Sequence, residues 1–404
     1  MTQSNGPLEG YTVLELGSTI AGPFCGRLLA DFGADVIKVE IPEGDPLRSM
    51  SPSDNGRALY AATSFRGKAN VSIDLRKPDG QKLARALALK SDIVLENFRP
   101  GTLERWGLGY EQLSRDNPGL VMVRISGFGQ TGPYRERPGF GIIGESVGGL
   151  RELTGDPDRP PSRVAVSLTD NLTGLYGAFG AAMALLQRGR TGVGQVVDCA
   201  LYEAAFSFMD GHVATYDRLG IVPSRAGSRL SNHVPNNLYL SRDRVYVHVA
   251  AGNQSVFERL AAVIGRPDLV ADERFATLAA RNRHPDEVDE LLGAWIGQHD
   301  ALAIEACFGS EDIPCCRILR LPDIFADPQF AAREMIVPVE DPGIGTVRMP
   351  GIVPKLSATP GRIRWSGRLP GENTRGVLRS LCGLDDVAID RLVADRIVFQ
   401  QGES

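Results

Sequence analysis

Residues 11–45 read YTVLELGSTIAGPFCGRLLADFGADVIKVEIPEGD, and two spacings of apolar residues alternate along them. Val13, Leu14 and Leu16 form a short apolar run that stops at Gly17. After the Gly22–Pro23 step, Phe24, Leu28, Leu29 and Phe32 recur at spacings of four, one and three, the stripe of a helix. Gly33 closes that helix, and Val36, Ile37 and Val39 make a second apolar run ending on Glu40. The order is strand, loop, helix, strand: one βαβ unit of a parallel sheet.

The alternation continues downstream. A helix pattern over 81–90 leads into a strand at 92–95, and a further strand is expected at 120–126. The segment RVAVS (163–167) is expected to be a strand. A long helix is predicted over 170–187, where Gly174, Gly177, Ala178, Gly180, Ala181 and Ala182 imply close packing against another backbone. The turn at 189–195 leads to the strand VVDCA (196–200) and a helix over 202–216. These elements predict one doubly wound α/β domain within residues 1–220. Residues 221–237 are rich in glycine, proline and polar side chains and read as a linker or exposed loop. With the following strand at 244–250 and helices at 254–264, 284–298 and 301–308, they define a smaller unit over 221–320. A separate C-terminal segment, 321–404, ends in two short helices.

The opening unit invites comparison with dinucleotide folds, since Glu40 stands where a ribose-binding acid would be. Its loop, however, is Gly17-Ser18-Thr19-Ile20-Ala21-Gly22, which lacks the G-x-G-x-x-G glycines that let backbone approach a pyrophosphate. A nicotinamide cofactor is therefore not expected. At 43% hydrophobic and 23% charged over 404 residues, the chain is ordinary globular material with room for two domains. A net charge of −5 argues against a nucleic-acid partner. No apolar stretch reaches the roughly 18 residues that span a bilayer, and MTQSNGPLEGY lacks the basic and apolar segments of a signal peptide. The six cysteines show no metal-ligand spacing and read as reduced thiols of a cytoplasmic protein without a metal.

Five stretches then coincide: AGPFCGRLLADFGADVIKVE (21–40), DIVLENFRPGTLERWGLGY (92–110), ISGFGQTGPYRERPGF (125–140), SLTDNLTGLYGAFGAAMALLQRGRTGVGQVVD (167–198) and DPQFAARE (327–334). In this order they closely resemble the family III CoA-transferases, the group of formyl-CoA, carnitine and glutarate CoA-transferases, from about residue 8 to the C-terminus. The resemblance implies a Rossmann-like large domain, a smaller α+β domain and a C-terminal tail returning to the large domain. Two such open rings would interlock as a homodimer. It implies coenzyme A as acyl-CoA substrate and product, and no other cofactor.

Asp170 matches the catalytic aspartate of that family. A carboxylate opening a helix is favoured there by unpaired N–H groups and the helix dipole, and an ionised carboxylate is a competent covalent nucleophile. Such an Asp is otherwise simply an N-cap, so the catalytic reading rests on the resemblance. The resemblance also carries the CoA-binding candidates Ile20, Ala21, Ile41, Leu75, Arg76, Asn97, Phe98, Arg99 and Arg105. Ile41 replaces an Arg common in relatives, and Arg76, Arg99 and Arg105 offer planar donors to phosphates. Phe140, Gly141 and Glu145 occupy the stretch that shapes the acyl pocket; Gly141 stands where several relatives carry Asp or Glu and is expected to open space beside the acyl group. Arg163 is a candidate for a distal substrate carboxylate, with a strand-end salt bridge as the plain alternative. His233, with Arg229, Ser231 and Asn232, lies in a loop that would shield the site, or is an ordinary turn residue.

The segment GFGIIGESVGGLRELTG (139–155) resembles dicarboxylate-using members most. The expected reaction moves CoA from an acyl-CoA such as succinyl-CoA to a C4–C5 diacid, for which malate, citramalate, mesaconate, itaconate and glutarate are candidates. Two other activities compete. A 2-methylacyl-CoA racemase on the same fold would need a His–Asp pair, and no histidine precedes His212. A non-catalytic CoA-binding protein would have no use for Asp170.

Overall fold

The structure is a computed structural model, and it describes residues 6–401. The chain forms two compact units, one of residues 6–151, 164–220 and 332–401, the other of 152–163 and 221–331.

The first unit is built on a seven-stranded sheet. Its strands are β1 (Thr12–Glu15), β2 (Asp35–Glu40), β3 (Lys68–Ile73), β4 (Ile93–Glu96), β5 (Val121–Ser126) and β6 (Val196–Ala200). All of these pair in parallel. A short edge strand at Val398–Phe399 adds antiparallel to β3, so the spatial order is Val398–Phe399, β3, β2, β1, β4, β5, β6. The order reverses between β1 and β4. In open α/β sheets that reversal opens a crevice at the carboxyl ends of the strands.

The helices that matter are α1 (Ala21–Asp31), α2 (Pro78–Leu89), α3 (Gly141–Val147), α4 (Leu168–Thr191), α5 (Leu201–Phe206) and α6 (Asp210–Leu219). One face of the sheet, with Leu14, Ile37, Val39, Val71, Ile73, Val94 and Met122, packs on Leu83, Ala84 and Leu87 of α2 and on Leu378 and Ile389 near the C-terminus. The other, with Val13, Val36, Leu95, Val123 and Ile125, packs on α1 and α4. Small residues let those two helices approach: a side chain at Gly174 would meet the backbone of Ala21 and Cys25.

The second unit has a three-stranded antiparallel sheet, with Tyr246–Ala250 in the middle between Asn236–Leu240 and Cys315–Arg317. Helices Gln254–Val263, Pro285–Ile296 and Ala301–Ser310 cover its core of Val247, Val249, Phe257, Leu260, Leu292, Ile304 and Phe308.

Local expectations fail in five places. RVAVS (163–167) is irregular, with Val166 60% exposed; a strand needs a partner, and the place beside β5 belongs to β6. Lys68–Ile73 and Asn236–Leu240 are strands that the apolar pattern did not mark. The helix expected over 202–216 breaks between α5 and α6. There Ser207 Oγ bonds the carbonyl of Ala204, the side-chain competition that disfavours serine within helices. Asp170 is the third residue of α4 and not its cap, a position held by Ser167.

Candidate active site

The loops after β1, β4 and β5 meet α3 and α4 around a cavity of about 210 Å³. It lies at the carboxyl ends of the strands, where the order reverses. Ser18 to Ala21 form one wall and Asn97 to Pro100 another; Ser126 and Gly127 close the base, and Asp170, Phe140 and Leu201 complete the lining.

Asp170 sits in the first turn of α4, where the helix dipole favours the ionised form. Its carboxylate lies directly on Gly141. Any side chain at 141 would run into Oδ1, Oδ2 and Cγ of Asp170. The space that Gly141 leaves is therefore filled by the aspartate itself, a correction to the expectation that it widens the acyl pocket. Tyr60 also lies within the field of Asp170: burial, and after it the Asp170 charge, raise its phenol above the usual range.

Of the sequence candidates, Ile20, Ala21, Asn97, Phe98, Arg99, Phe140 and Asp170 line this one cavity. Asn97 uses both ends of its amide on Ser18, accepting from its N–H at 2.8 Å and donating to its carbonyl at 2.8 Å. Phe98 is held from both sides. Its N–H donates to Glu96 at 2.7 Å, and its ring meets Trp106 edge-on at 5.2 Å. Burial pushes Glu96 up to about 7, against the opposing pull of Arg124, whose Nε donates to it at 2.8 Å.

The remaining candidates lie elsewhere. Leu75 belongs to the core beneath the sheet. Ile41 is exposed just past β2. Arg76 is exposed and paired with Asp74 at 2.7 Å and Glu43 at 3.1 Å, and Arg105 donates to Thr102 Oγ1 at 3.0 Å. Glu145 is 4% exposed on α3; its Oε1 has no hydrogen-bond partner, and Arg151 Nη1 stands 4.0 Å away. Arg163 and His233 belong to the second unit. There the His233 ring lies against Gly252, and Arg229 is bound to Asp289 at 2.6 Å.

Sequence reasoning missed Arg135 and Arg137, which line the cavity together with Arg99. Arg137 stacks on the Tyr134 ring at 3.6 Å. The signal was present: two arginines within GPYRERPGF, the turn-rich segment that follows β5. Arg99, Arg135 and Arg137 thus give the cavity that holds Asp170 three guanidinium groups, donors suited to a phosphate-bearing acyl donor.

A doubly wound sheet that holds a helix-opening carboxylate, Asp170, in the crevice where its strand order reverses has the layout of an α/β enzyme. The chain belongs to CoA-transferase family III, whose sequence model matches residues 8–374, and it is a CoA-transferase. It is 45% identical to the succinyl-CoA–D-citramalate CoA-transferase of Chloroflexus aurantiacus over 97% of this chain and 98% of that one. It is 39% identical to the succinyl-CoA–L-malate CoA-transferase beta subunit of the same organism, again over 97% and 98%. Among solved structures, a CAIB/BAIF family protein from Brucella suis superposes with a TM-score of 0.84 at 35% identity, covering 93% of this chain and 100% of that one. Among the described residues no helix is long and apolar enough to cross a membrane, and no cluster of His, Cys, Asp and Glu is placed to hold a metal ion.

Proposed function

We propose that this chain transfers CoA from succinyl-CoA to a C4–C5 dicarboxylate, with citramalate or malate foremost, through covalent adducts on Asp170. The seating of the Asp170 carboxylate on Gly141, in the crevice between β1 and β4, carries the reading. The substrate class is supported by the similarity to the citramalate and malate enzymes.

The steps balance without an oxidant or ATP. An Asp170 oxygen attacks the thioester carbon of succinyl-CoA; the C–S bond breaks, giving a succinyl–aspartyl anhydride and CoA thiolate. The thiolate attacks the aspartyl carbonyl and expels succinate, leaving an aspartyl-CoA thioester. The acceptor carboxylate attacks that thioester, forming a second anhydride and freeing the thiolate again. Attack of the thiolate on the acceptor's acyl carbon then yields the new acyl-CoA and restores Asp170. A cavity of about 210 Å³ takes the acyl and thioester end of the donor, with Arg99, Arg135 and Arg137 on the side of the CoA phosphates. The crevice lining contains no histidine, so α-proton exchange has no general base of that kind there.

The family's interlocked homodimer belongs to the same proposal. Leu175, Phe179 and Leu186 of α4 are at least half exposed, and α6 buries none of its residues while presenting Val213, Tyr216 and Leu219 to solvent. Exposed apolar faces of this extent are typical of subunit contacts. Six free cysteines are consistent with a reducing compartment.

Incubation with succinyl-CoA and a mixture of C2–C6 acids, read by mass spectrometry of the CoA pool, tests the function. A new dicarboxylyl-CoA is expected. Adding hydroxylamine during turnover should convert Asp170 to its hydroxamate, located by peptide mass. Transfer without modification at Asp170 would remove the covalent mechanism, and the absence of any new acyl-CoA would remove the function. Light scattering should give twice the 43.6 kDa chain mass.

A further inference from the structure

Beneath the crevice lies a set of buried charges that the transfer chemistry does not use. Glu15 ends β1, Lys38 is in β2 and Lys68 opens β3; each is at most 1% exposed, and Asp45 is 5% exposed. Lys38 Nζ stands 2.8 Å from Asp45 Oδ2 and 3.3 Å from Glu15 Oε1. Lys68 Nζ is 2.6 Å from Glu15 Oε2. The ring of Phe65 lies beside both ammonium groups, at 4.6 and 5.6 Å. Such a set is expensive to bury. Replacing it with apolar side chains would commonly be neutral or favourable for stability, so its presence calls for another reason.

The free ends of these groups point at one piece of backbone. Lys38 also donates to the carbonyl of Gly17 at 2.9 Å, and Lys68 to that of Pro23 at 2.7 Å. Asp45 accepts the N–H of Thr19 at 3.1 Å. Asn97 grips Ser18 from the far side. Thr19, between them, is held at φ 69°, a left-handed conformation that a β-branched residue adopts only under constraint. The segment so fixed, 17–23, carries Ser18 to Ala21, one wall of the crevice that also holds Asp170. Asp45 is itself anchored, its N–H donating to Glu40 at 2.8 Å, and Glu40 is bound by Arg48 at 2.7 Å.

We propose that Lys38, Asp45, Glu15 and Lys68 are positioning residues for CoA transfer: they hold the 17–23 wall, and Thr19 in its strained conformation, in the shape that receives the acyl-CoA. The inference rests on the functional reading above. None of the four is assigned contact with substrate. They act through backbone atoms of the wall, and Asp45 acts through the N–H of the strained residue.

Glycine adopts a left-handed conformation without strain, which supplies the test. Asp45→Asn, Thr19→Gly and the double variant form a cycle read by the KM for succinyl-CoA, by kcat and by thermal midpoint. Loss of a charge-assisted hold on Thr19 should raise the KM for succinyl-CoA by about tenfold and leave the KM for the acceptor acid in place. In the Thr19→Gly background the same substitution should raise it less than about threefold, because the hold is no longer required. A purely structural network would lower the thermal midpoint equally in both backgrounds and leave the KM unmoved, and that result overturns the inference. So does an equal rise of KM in both. Lys38→Arg keeps the charge but moves the donor off Gly17, and should raise the same KM if Asp45→Asn does not fold. An unchanged KM in that variant overturns the inference too. Wild-type enzyme that transfers no CoA from any acyl-CoA is a distinct result, and it removes the functional reading itself.

Discussion

Leu14 and Glu15 are neighbours on β1, both fully buried, and they face opposite sides of the sheet. On Leu14's side the buried residues of β1 to β3 are all apolar: Leu14, Ile37, Val39, Val71 and Ile73. On Glu15's side the same strands bury Val13 and Val36 together with Glu15, Lys38, Glu40, Lys68, Asn70 and Ser72. The difference shows which tasks the two faces perform. An apolar face joins a sheet to helices through area removed from water, which is non-directional. A charged face is directional: Lys38 and Lys68 end on Gly17 and Pro23 beside the crevice, and Asn70 and Ser72 end on residues 371–374 of the C-terminal segment. Helix α1 accommodates it, since a side chain at Gly26 would collide with Glu15 Oε2.

The strongest way to break this contrast is at the crevice. Asp170→Asn should lower the transfer rate by about 10⁴-fold or more, as losses of a covalent nucleophile do, with the thermal midpoint nearly unchanged. A variant that retained a hundredth of the wild-type rate would mean that Asp170 is not the nucleophile. Next comes Gly141→Ala, which displaces the Asp170 carboxylate without removing it. A displacement near 1 Å corresponds to a loss of about 10²-fold in kcat, and hydroxylamine trapping should fall in step. An unchanged kcat would show that the carboxylate has room to move.

The two β1 neighbours then sharpen it. Leu14→Ala should lower stability by about 2–5 kcal/mol, read as a urea midpoint, while the KM for succinyl-CoA stays within about twofold, because no bond of Leu14 reaches the crevice. Glu15→Gln leaves two buried lysines sharing less negative charge. It should destabilise by about 3–5 kcal/mol and also raise that KM, through Lys38 on Gly17 and Lys68 on Pro23. Equal KM values in the two variants would erase the functional distinction between the faces.

This distinction also marks where the sequence was legible. The βαβ opening and the β4, β5 and β6 strands announced themselves because apolar runs bounded by glycine and polar turns have few alternative readings. Residues 68–73, KANVSI, escaped notice because one whole face of that strand is lysine, asparagine and serine. Polar alternation of that kind normally signals a solvent-facing side, and here each of the three is at most 2% exposed. Asp170 was legible through its motif, and its place on Gly141 was not, since residues 29 apart in sequence meet only through packing. Asn97 lines the crevice as its motif implies, but the hold of its amide on the backbone of Ser18 was not legible, because the two residues are 79 apart in sequence. Arg135 and Arg137 sat inside a quoted motif, yet nothing in their spacing said that the turn folds over the crevice. Tyr60 belongs to a short helix with no pattern of its own, and only the field of Asp170 betrays it.

The smallest effect concerns the proton on Lys68. Burial lowers its affinity for that proton, and the repulsion of Lys38 adds to this; Glu15 and, more weakly, Cys25 oppose them, and the ammonium is pushed down to about 8. Lys38 experiences the same burial, yet Asp45 and Glu15 outweigh it and hold its affinity above the ordinary range. One carboxylate is thus shared unequally between two lysines, because Asp45 touches only Lys38. In the unfolded chain Lys68 keeps its proton to about 10.4. Between pH 8 and that value the unfolded state therefore binds the extra proton, and stability gains from this residue as pH rises, at about 1 kcal/mol per pH unit. Lys68→Met should remove that gain: the difference between wild-type and variant urea midpoints should widen in favour of wild type from pH 8 to pH 9.5. A difference that stays flat across this range would mean that Lys68 keeps its charge in the fold, and that Glu15 serves both lysines alike.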